Sequence, residues 1–328
     1  MKLLIVFHHT FDFWNVPLWF VDRLRADFPD LEVVRLSSYD GAEKEISDAE
    51  IVVTWSLRPE QVKAAQRLRW LHSPAAAVHQ LLFPELVHSD VIITNGRDVH
   101  GPVVGEHIIA LILALAKKLP QASRFQQKRV WGQQLLWESS PHIREVAGAT
   151  LGMVGLGSIG RTAARHAAAL GMHVIAVREH PEKGSPEGVE QVFPSSQLDT
   201  LLEKSDYVAL AVPITATTNA LIDATRLAKM KPDACLINVG RGQLIDEGAL
   251  VQALRENKIG GAALDVFVEE PLPASSPLWD LDNLLITPHT AGLTEKQWDR
   301  QYALVAENMR RYLNHQPLLA VVDKQKGY

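Results

Sequence analysis

The chain has 328 residues, 47% of them hydrophobic and 22% charged. At roughly 100 to 200 residues per domain this predicts about two domains with their own cores and excludes a disordered or low-complexity chain. The net charge of -5 supplies no basic surplus to mark nucleic acid or anionic lipid as a partner, and the single cysteine excludes an intrachain disulfide and a thiolate-rich zinc site.

Residues 3–7 form a short apolar run that reads as a strand, too short for a signal-peptide core. A helix at 18–28 and strands at 31–36, 51–54, 70–73 and 91–95 follow, the β-α-β alternation of a parallel sheet flanked by helices. Gly101-Pro102 reads as a domain hinge before an apolar helix over 103–119. The uncharged part of that helix, 108–116, is about half the length that crosses a bilayer. A second alternation starts at Thr150: strand 151–155, helix 159–170, strand 173–177, helix 198–203, strand 207–212, then strands 235–239, 261–266 and 284–287. Cys235, in Ala-Cys-Leu-Ile, reads as an inert buried strand thiol. A last helix over 295–314 ends before Pro317 and is long enough to return to the first domain. Such a chain is expected in the cytoplasm, a reducing compartment.

Gly155-Leu156-Gly157-Ser158-Ile159-Gly160 is a G-x-G-x-x-G sequence between a predicted strand and an alanine-rich helix, with another strand after it. In that context it predicts a dinucleotide site. Gly155 permits the tight turn, Gly157 the close approach of a pyrophosphate, and Gly160 the packing of helix on strand, while the helix start holds phosphate. An acid that bonds the adenine ribose is expected at the end of the second strand. Here that strand runs into Arg178, and the acid, Glu179, stands one place later. A guanidinium pairs with a 2'-phosphate, so Arg178 favours NADP, while Glu179 keeps NAD as the alternative.

Three further segments carry a resemblance: Leu236-Ile237-Asn238-Val239-Gly240-Arg241-Gly242, Ala263-Leu264-Asp265-Val266-Phe267-Val268-Glu269-Glu270-Pro271-Leu272, and Thr287-Pro288-His289-Thr290-Ala291-Gly292. With the glycine loop, and in this order, they resemble the D-isomer-specific 2-hydroxyacid dehydrogenase family, which includes glyoxylate and hydroxypyruvate reductases and phosphoglycerate dehydrogenases. The likeness runs from about residue 51 to 312. It implies an α/β protein of two Rossmann-like domains. A flavodoxin-like substrate domain would take 1–100 plus 290–328, and the NAD(P)-binding domain would take 101–289. It implies reduction of a small 2-keto acid, such as glyoxylate or hydroxypyruvate, to the D-2-hydroxy acid, by a homodimer with no metal. A nicotinamide-responsive corepressor on the same fold is the alternative.

Position by position, the resemblance implies that Arg241 holds the substrate carboxylate, that His289 is the general acid-base and that Glu270 is its partner. Such a set suits the chemistry, which needs a cation for the carboxylate and a proton source that works near neutrality. Glu269, adjacent to Glu270, differs from it only in its spacing from Asp265. Asp265 matches the residue that bonds the nicotinamide carboxamide, and otherwise reads as a turn aspartate. Ser158, Ile159, Val212, Pro213, Thr217, Val239, Gly240 and Gly292 match other cofactor-bordering positions. The family's glycine-containing substrate loop is matched by Ala75-Ala76-Ala77-Val78-His79. The implied carboxylate donors are the amides of Ala76, Ala77 and Val78, yet alanine lacks glycine's freedom to enter positive φ. Arg97 is a candidate second cation or a structural arginine, and Trp131, Trp137 and Trp279 are expected near the cleft or the dimer arm.

Overall fold

A computed structural model describes residues 1–327. The chain divides into two compact units, one of residues 1–100 and 294 onward, the other of residues 101–293.

In the first unit, strands β1 (Lys2–Val6), β2 (Glu32–Leu36), β3 (Ile51–Thr54), β4 (Trp70–Ser73) and β5 (Ile92–Asn95) alternate with helices α1 (Leu18–Asp27), α2 (Ala42–Ile46), α3 (Pro59–Ala64) and α4 (Pro84–Val87). The strands form one sheet of order β2-β1-β3-β4-β5, parallel throughout, with Leu4 opposite both Val34 and Val52. Strands buried on both faces read as unbroken apolar runs, which explains why Leu-Leu-Ile-Val and Ile-Val-Val were legible as strands. The 2-1-3-4-5 order is flavodoxin-like.

The second unit opens with α5 (Gly101–Ala116), α6 (Leu119–Gln127) and α7 (Gln133–Glu138). Strands β6 (Thr150–Val154), β7 (His173–Arg178), β8 (Gln191–Pro194), β9 (Tyr207–Leu210), β10 (Cys235–Asn238), β11 (Gly261–Leu264) and β12 (Leu284–Ile286) follow, with helices α8 (Ser158–Ala169), α9 (Leu198–Lys204), α10 (Ala224–Leu227) and α11 (Glu247–Arg255). Their all-parallel sheet has the order β12-β11-β10-β9-β6-β7-β8. The strand order reverses between β6 and β9, the place where doubly wound sheets open a crevice for ligands at their carboxyl ends. α5 lies against α8, and Gly105 allows the approach: a Cβ there would be 2.6 Å from Thr162 Cγ2.

α12 (Gln297–Leu313) belongs to the first unit. Its buried Trp298, Tyr302, Val305, Ala306 and Met309 repeat at helical spacing and join Phe20, Val21 and Leu24 of α1 over one face of the sheet. Leu4, Val52, Leu71 and Ile93 face the opposite layer, with Ile46, Leu81 and Leu86.

Gly101-Pro102 stands where the second unit begins and forms the first turn of α5, a place where proline's missing N–H costs nothing. Residues 290–293 stay with the second unit because the amides of Thr290 and Ala291 bond the Asp265 carboxylate. The edge strand β8, ending in Pro194, was not expected. Among the described residues no helix is long and apolar enough to cross a membrane.

Candidate active site

At the sheet's reversal point β6 gives way to Gly155, whose φ is +100. Only glycine takes that backbone without strain. A Cβ on Gly155 would also stand 2.6 Å from the Ala211 carbonyl oxygen, and one on Gly160 would run into the Gly155 carbonyl. Gly157 is different: a Cβ there would meet nothing within 4 Å. Folding does not require glycine at 157, and open space lies beside the start of α8. The first helical bond runs from Arg161 N–H to the Gly157 carbonyl, and no side chain caps the helix. The amides of the turn through Ser158 and Ile159 thus form the positive end of the helix dipole, and the cradle fits the pyrophosphate of a dinucleotide.

Around this loop, Val212 packs its Cγ1 within 2.7 Å of where a Gly155 Cβ would be, and its carbonyl is 3.0 Å from where a Gly240 Cβ would be. The segments after β6, β9 and β10 therefore converge, which brings Gly155, Val212 and Gly240 together. Pro213 is exposed next to the half-buried Val212, and Thr217 is exposed in a threonine turn, its hydroxyl 3.1 Å from that of Thr215. Arg178 is the last residue of β7, opposite Pro194, and half-buried. Glu179 comes after the strand and is exposed.

Beyond β10, the buried Asn238 organises the loop that carries Arg241. Its Oδ1 accepts from Gly240 N–H at 3.0 Å and its Nδ2 donates to the Arg241 carbonyl at 2.8 Å. Sequence reasoning had passed over Asn238, although asparagine closing an apolar strand before a glycine is a local turn signal. Val239 is buried beneath the loop. Arg241 Nη1 donates to the Gly240 carbonyl, and burial lowers the guanidinium's pKa while the Glu270 carboxylate opposes that shift. This cation is therefore partly desolvated, which strengthens its pull on an anionic ligand, while the nearby acid offsets part of that pull.

His289 Nδ1 lies 2.6 Å from Glu270 Oε2, and Glu270 Oε1 accepts from Phe267 N–H at 2.9 Å. Glu270, not Glu269, meets the imidazole. Half of the His289 side chain is exposed, which leaves Nε2 as the nitrogen that faces outward. The histidine has φ +53, a left-handed backbone uncommon for a bulky residue. Its N–H is shared by the carbonyls of Asp265 and Thr287, at 2.9 and 3.0 Å.

Asp265 ties this loop down. Its side chain is 1% exposed. Oδ1 accepts from Thr287 Oγ1 at 2.6 Å and from Thr290 N–H at 2.9 Å, and Oδ2 accepts from Ala291 N–H at 3.0 Å. The turn role that was one reading of Asp265 is thus present in full. Gly292 follows in the same turn, closed by Leu293 N–H on the Thr290 carbonyl.

Ala76, Ala77 and Val78 lie in the first unit, after β4. None of the three has positive φ, so this backbone does not call on the freedom that alanine lacks. The Ala76 carbonyl accepts from Asn95 Nδ2 at 2.6 Å, the Ala75 carbonyl from Gly96 N–H at 3.0 Å. Below the loop, buried His72 contacts Thr94 Oγ1 at 2.9 Å and Gln301 Oε1 at 3.4 Å, and Gln301 donates to the Pro74 carbonyl at 2.7 Å. His79 is exposed. Arg97 donates to the Val321 carbonyl at 2.9 Å, the structural reading of that residue. Trp131 is 91% exposed, and Trp137 and Trp279 are also largely exposed. Among the described residues no group of three or more His, Cys, Asp or Glu could hold a metal ion.

Comparison with known proteins agrees with this geometry. The sequence profile of the D-isomer specific 2-hydroxyacid dehydrogenase NAD binding domain matches residues 109–291. A glyoxylate reductase of Thermofilum pendens is 34% identical over 280 residues, 84% of this chain and 80% of its own. A D-isomer specific 2-hydroxyacid dehydrogenase family protein of Aeromonas salmonicida matches in structure with a TM-score of 0.83 and 33% identity, over 98% of this chain and 99% of that one. An NADPH-dependent glyoxylate/hydroxypyruvate reductase of Sinorhizobium meliloti, solved in complex with NADP and sulfate, matches with a TM-score of 0.83 and 28% identity over 100% of both chains.

Proposed function

The chain belongs to the D-isomer-specific 2-hydroxyacid dehydrogenase family and is an NAD(P)-dependent oxidoreductase of the CH-OH group; from that premise we propose that it reduces glyoxylate, hydroxypyruvate or a 2-keto acid of similar size to the D-2-hydroxy acid. The observation that carries this reading is the 2.6 Å contact of His289 with Glu270, with the Arg241 cation close enough to sense the same carboxylate.

The glycine loop would hold a reduced nicotinamide dinucleotide by its pyrophosphate, and the bound group would supply the hydride that the keto carbon needs. Arg241 holds the substrate carboxylate as a charge-assisted pair. The substrate's keto oxygen gains charge as the carbon is reduced, and the guanidinium offsets that charge. His289 gives the proton on Nε2 to this oxygen and recovers one from solvent. Glu270 accepts from Nδ1–H, which fixes the ring's orientation and leaves Nε2 for the transfer. In the oxidative direction the same imidazole takes the hydroxyl proton.

NADP is the proposed cofactor, supported by Arg178 at the end of β7, where a carboxylate would repel a 2'-phosphate. We assign the substrate role to the first unit and the cofactor role to the second. The exposed Leu119, Val130, Trp131, Leu135 and Trp137 on and between α6 and α7, neither of which has a buried residue, support a homodimer. Purified protein is assayed with NADPH and NADH against a panel of 2-keto acids, following loss of reduced-nicotinamide absorbance, and its mass in solution is measured by sedimentation. Turnover with a small keto acid, lost in His289→Ala, is expected. No turnover with any acid overturns the reading.

A further inference from the structure

Two segments of the second unit flank its boundaries. α5 starts at Gly101, directly after the first crossing, and the loop that carries His289 ends at Leu293, directly before the second. One side chain joins them. His107, on the second turn of α5, places Nε2 at 3.2 Å from Thr287 Oγ1 and 3.6 Å from Asp265 Oδ1. Thr287 spends its hydroxyl hydrogen on Asp265 Oδ1, at 2.6 Å. The threonine oxygen is therefore the acceptor for His107, and Nε2 carries the hydrogen. The result is a directed chain from His107 N–H to Thr287 O–H to the buried Asp265 carboxylate, which also receives the amides of Thr290 and Ala291. Bonds in such a chain polarise and orient one another.

We propose that His107 is a positioning residue for the acid-base chemistry of His289, resting on the reading of His289 given above. A hydroxyl on a threonine is a rotor, and it turns to suit its partners. With His107 donating to its oxygen, the Thr287 hydroxyl has one good direction left, toward Asp265. That bond and the two amide bonds hold residues 287–291 in a single turn. In this turn the carbonyls of Asp265 and Thr287 both take the His289 N–H, and the left-handed backbone of His289 persists because the surroundings specify it. Loss of His107 frees the rotor, the turn samples other arrangements, and His289 meets Glu270 for a smaller fraction of the time. The His107 ring reaches Thr287 and Asp265, so its removal leaves the carboxylate-holding cation and the pyrophosphate cradle in place.

The test uses the whole enzyme and the keto acid that the panel identifies, with His107→Ala, His107→Gln, Thr287→Val and the double variant His107→Ala/Thr287→Val. His107→Ala is expected to lower kcat about tenfold, the change that one hydrogen bond produces, with KM for keto acid and cofactor within about twofold of the parent. A glutamine amide donates from nearly the position of Nε2, so His107→Gln recovers most of the rate. Thr287→Val breaks the same chain one link later, so its loss is similar and the double variant is no worse than either single one. Wild-type kcat in His107→Ala, a loss confined to KM, no recovery with glutamine, or multiplying losses in the double variant would each overturn the proposal. Should His107→Ala fail to fold, His107→Gln and Thr287→Val carry the test. His289→Ala separates the two levels: full activity there defeats the acid-base reading itself, whereas a dead His289→Ala beside a fully active His107→Ala defeats only the role of His107.

Discussion

Asp265→Asn removes one charge and one acceptor from the turn that carries His289, at almost constant volume. The carboxylate takes the Thr287 hydroxyl and the Thr290 amide on Oδ1 and the Ala291 amide on Oδ2. An asparagine has one oxygen for these three donors. With its NH2 at the Oδ2 position it faces the Ala291 N–H, donor against donor, and the reverse orientation opposes two donors. The cheaper orientation loses one bond to a charged acceptor, worth about 1.5 to 3 kcal/mol, and reduces the other two to neutral strength. The lost bond alone, near 2 to 3 kcal/mol in holding the turn, corresponds to a kcat at least roughly 30- to 150-fold lower, at 1.36 kcal/mol per tenfold. Steady-state kcat at saturating NADPH and keto acid measures this, and amide hydrogen exchange at Thr290 and Ala291 should quicken by a comparable factor. Unchanged kcat with unchanged exchange would refute the reasoning. A loss found wholly in the cofactor KM would instead favour the carboxamide contact that the family resemblance implies for Asp265.

Gly157→Ala should fold normally, because its Cβ meets open space, yet raise the KM for cofactor at least tenfold; Gly160→Ala should lose thermal stability, because its Cβ runs into the Gly155 carbonyl. Equal effects in melting and steady-state assays would defeat this distinction. Arg178→Asp should turn the preference from NADPH to NADH, by a factor on the order of a hundred in the ratio of kcat/KM, since a cation becomes a like charge for the 2'-phosphate; an unchanged ratio removes Arg178 from cofactor choice. Burial lowers the pKa of His72 from 6.5 to about 4. Below pH 6.5 the unfolded chain takes a proton that the folded one refuses, so stability falls as pH drops from 6.5 toward 4, by roughly 3 kcal/mol in all. His72→Gln should flatten that part of the denaturant-midpoint profile, and an unchanged slope would show that other groups carry it.

Most strands were legible because parallel, doubly covered strands are apolar without interruption: residues 51–54 and 70–73 were read to the residue. β8 escaped because Gln-Val-Phe-Pro is short, half polar and at the sheet's edge, where side chains need not be apolar. α6 and α7 escaped for a related reason: with no buried residue they have no apolar stripe to read. The candidate groups Arg241, Glu270 and His289 were legible through the resemblance of the three segments that carry them. What supports them was not. Asn238, Thr287 and His107 act by the direction of single hydrogen bonds, and direction depends on how distant segments fold against one another. At the substrate loop, residues 75–77 keep ordinary φ, which alanine takes without cost.

The interrupted first unit has a consequence for the order in which a growing chain can mature. Its sheet is complete once β5 has been made, but one face is covered only by α1 until α12 arrives. Phe7, Phe20 and Trp70 then wait, without Trp298, Tyr302 and Met309, while the whole cofactor-binding unit is synthesised and folds. During translation the second unit can finish first, and the first unit remains a sheet with a half-covered aromatic surface, the kind of surface that chaperones hold and that aggregates when crowded. Damage near the carboxyl end would therefore strike the unit that begins the chain.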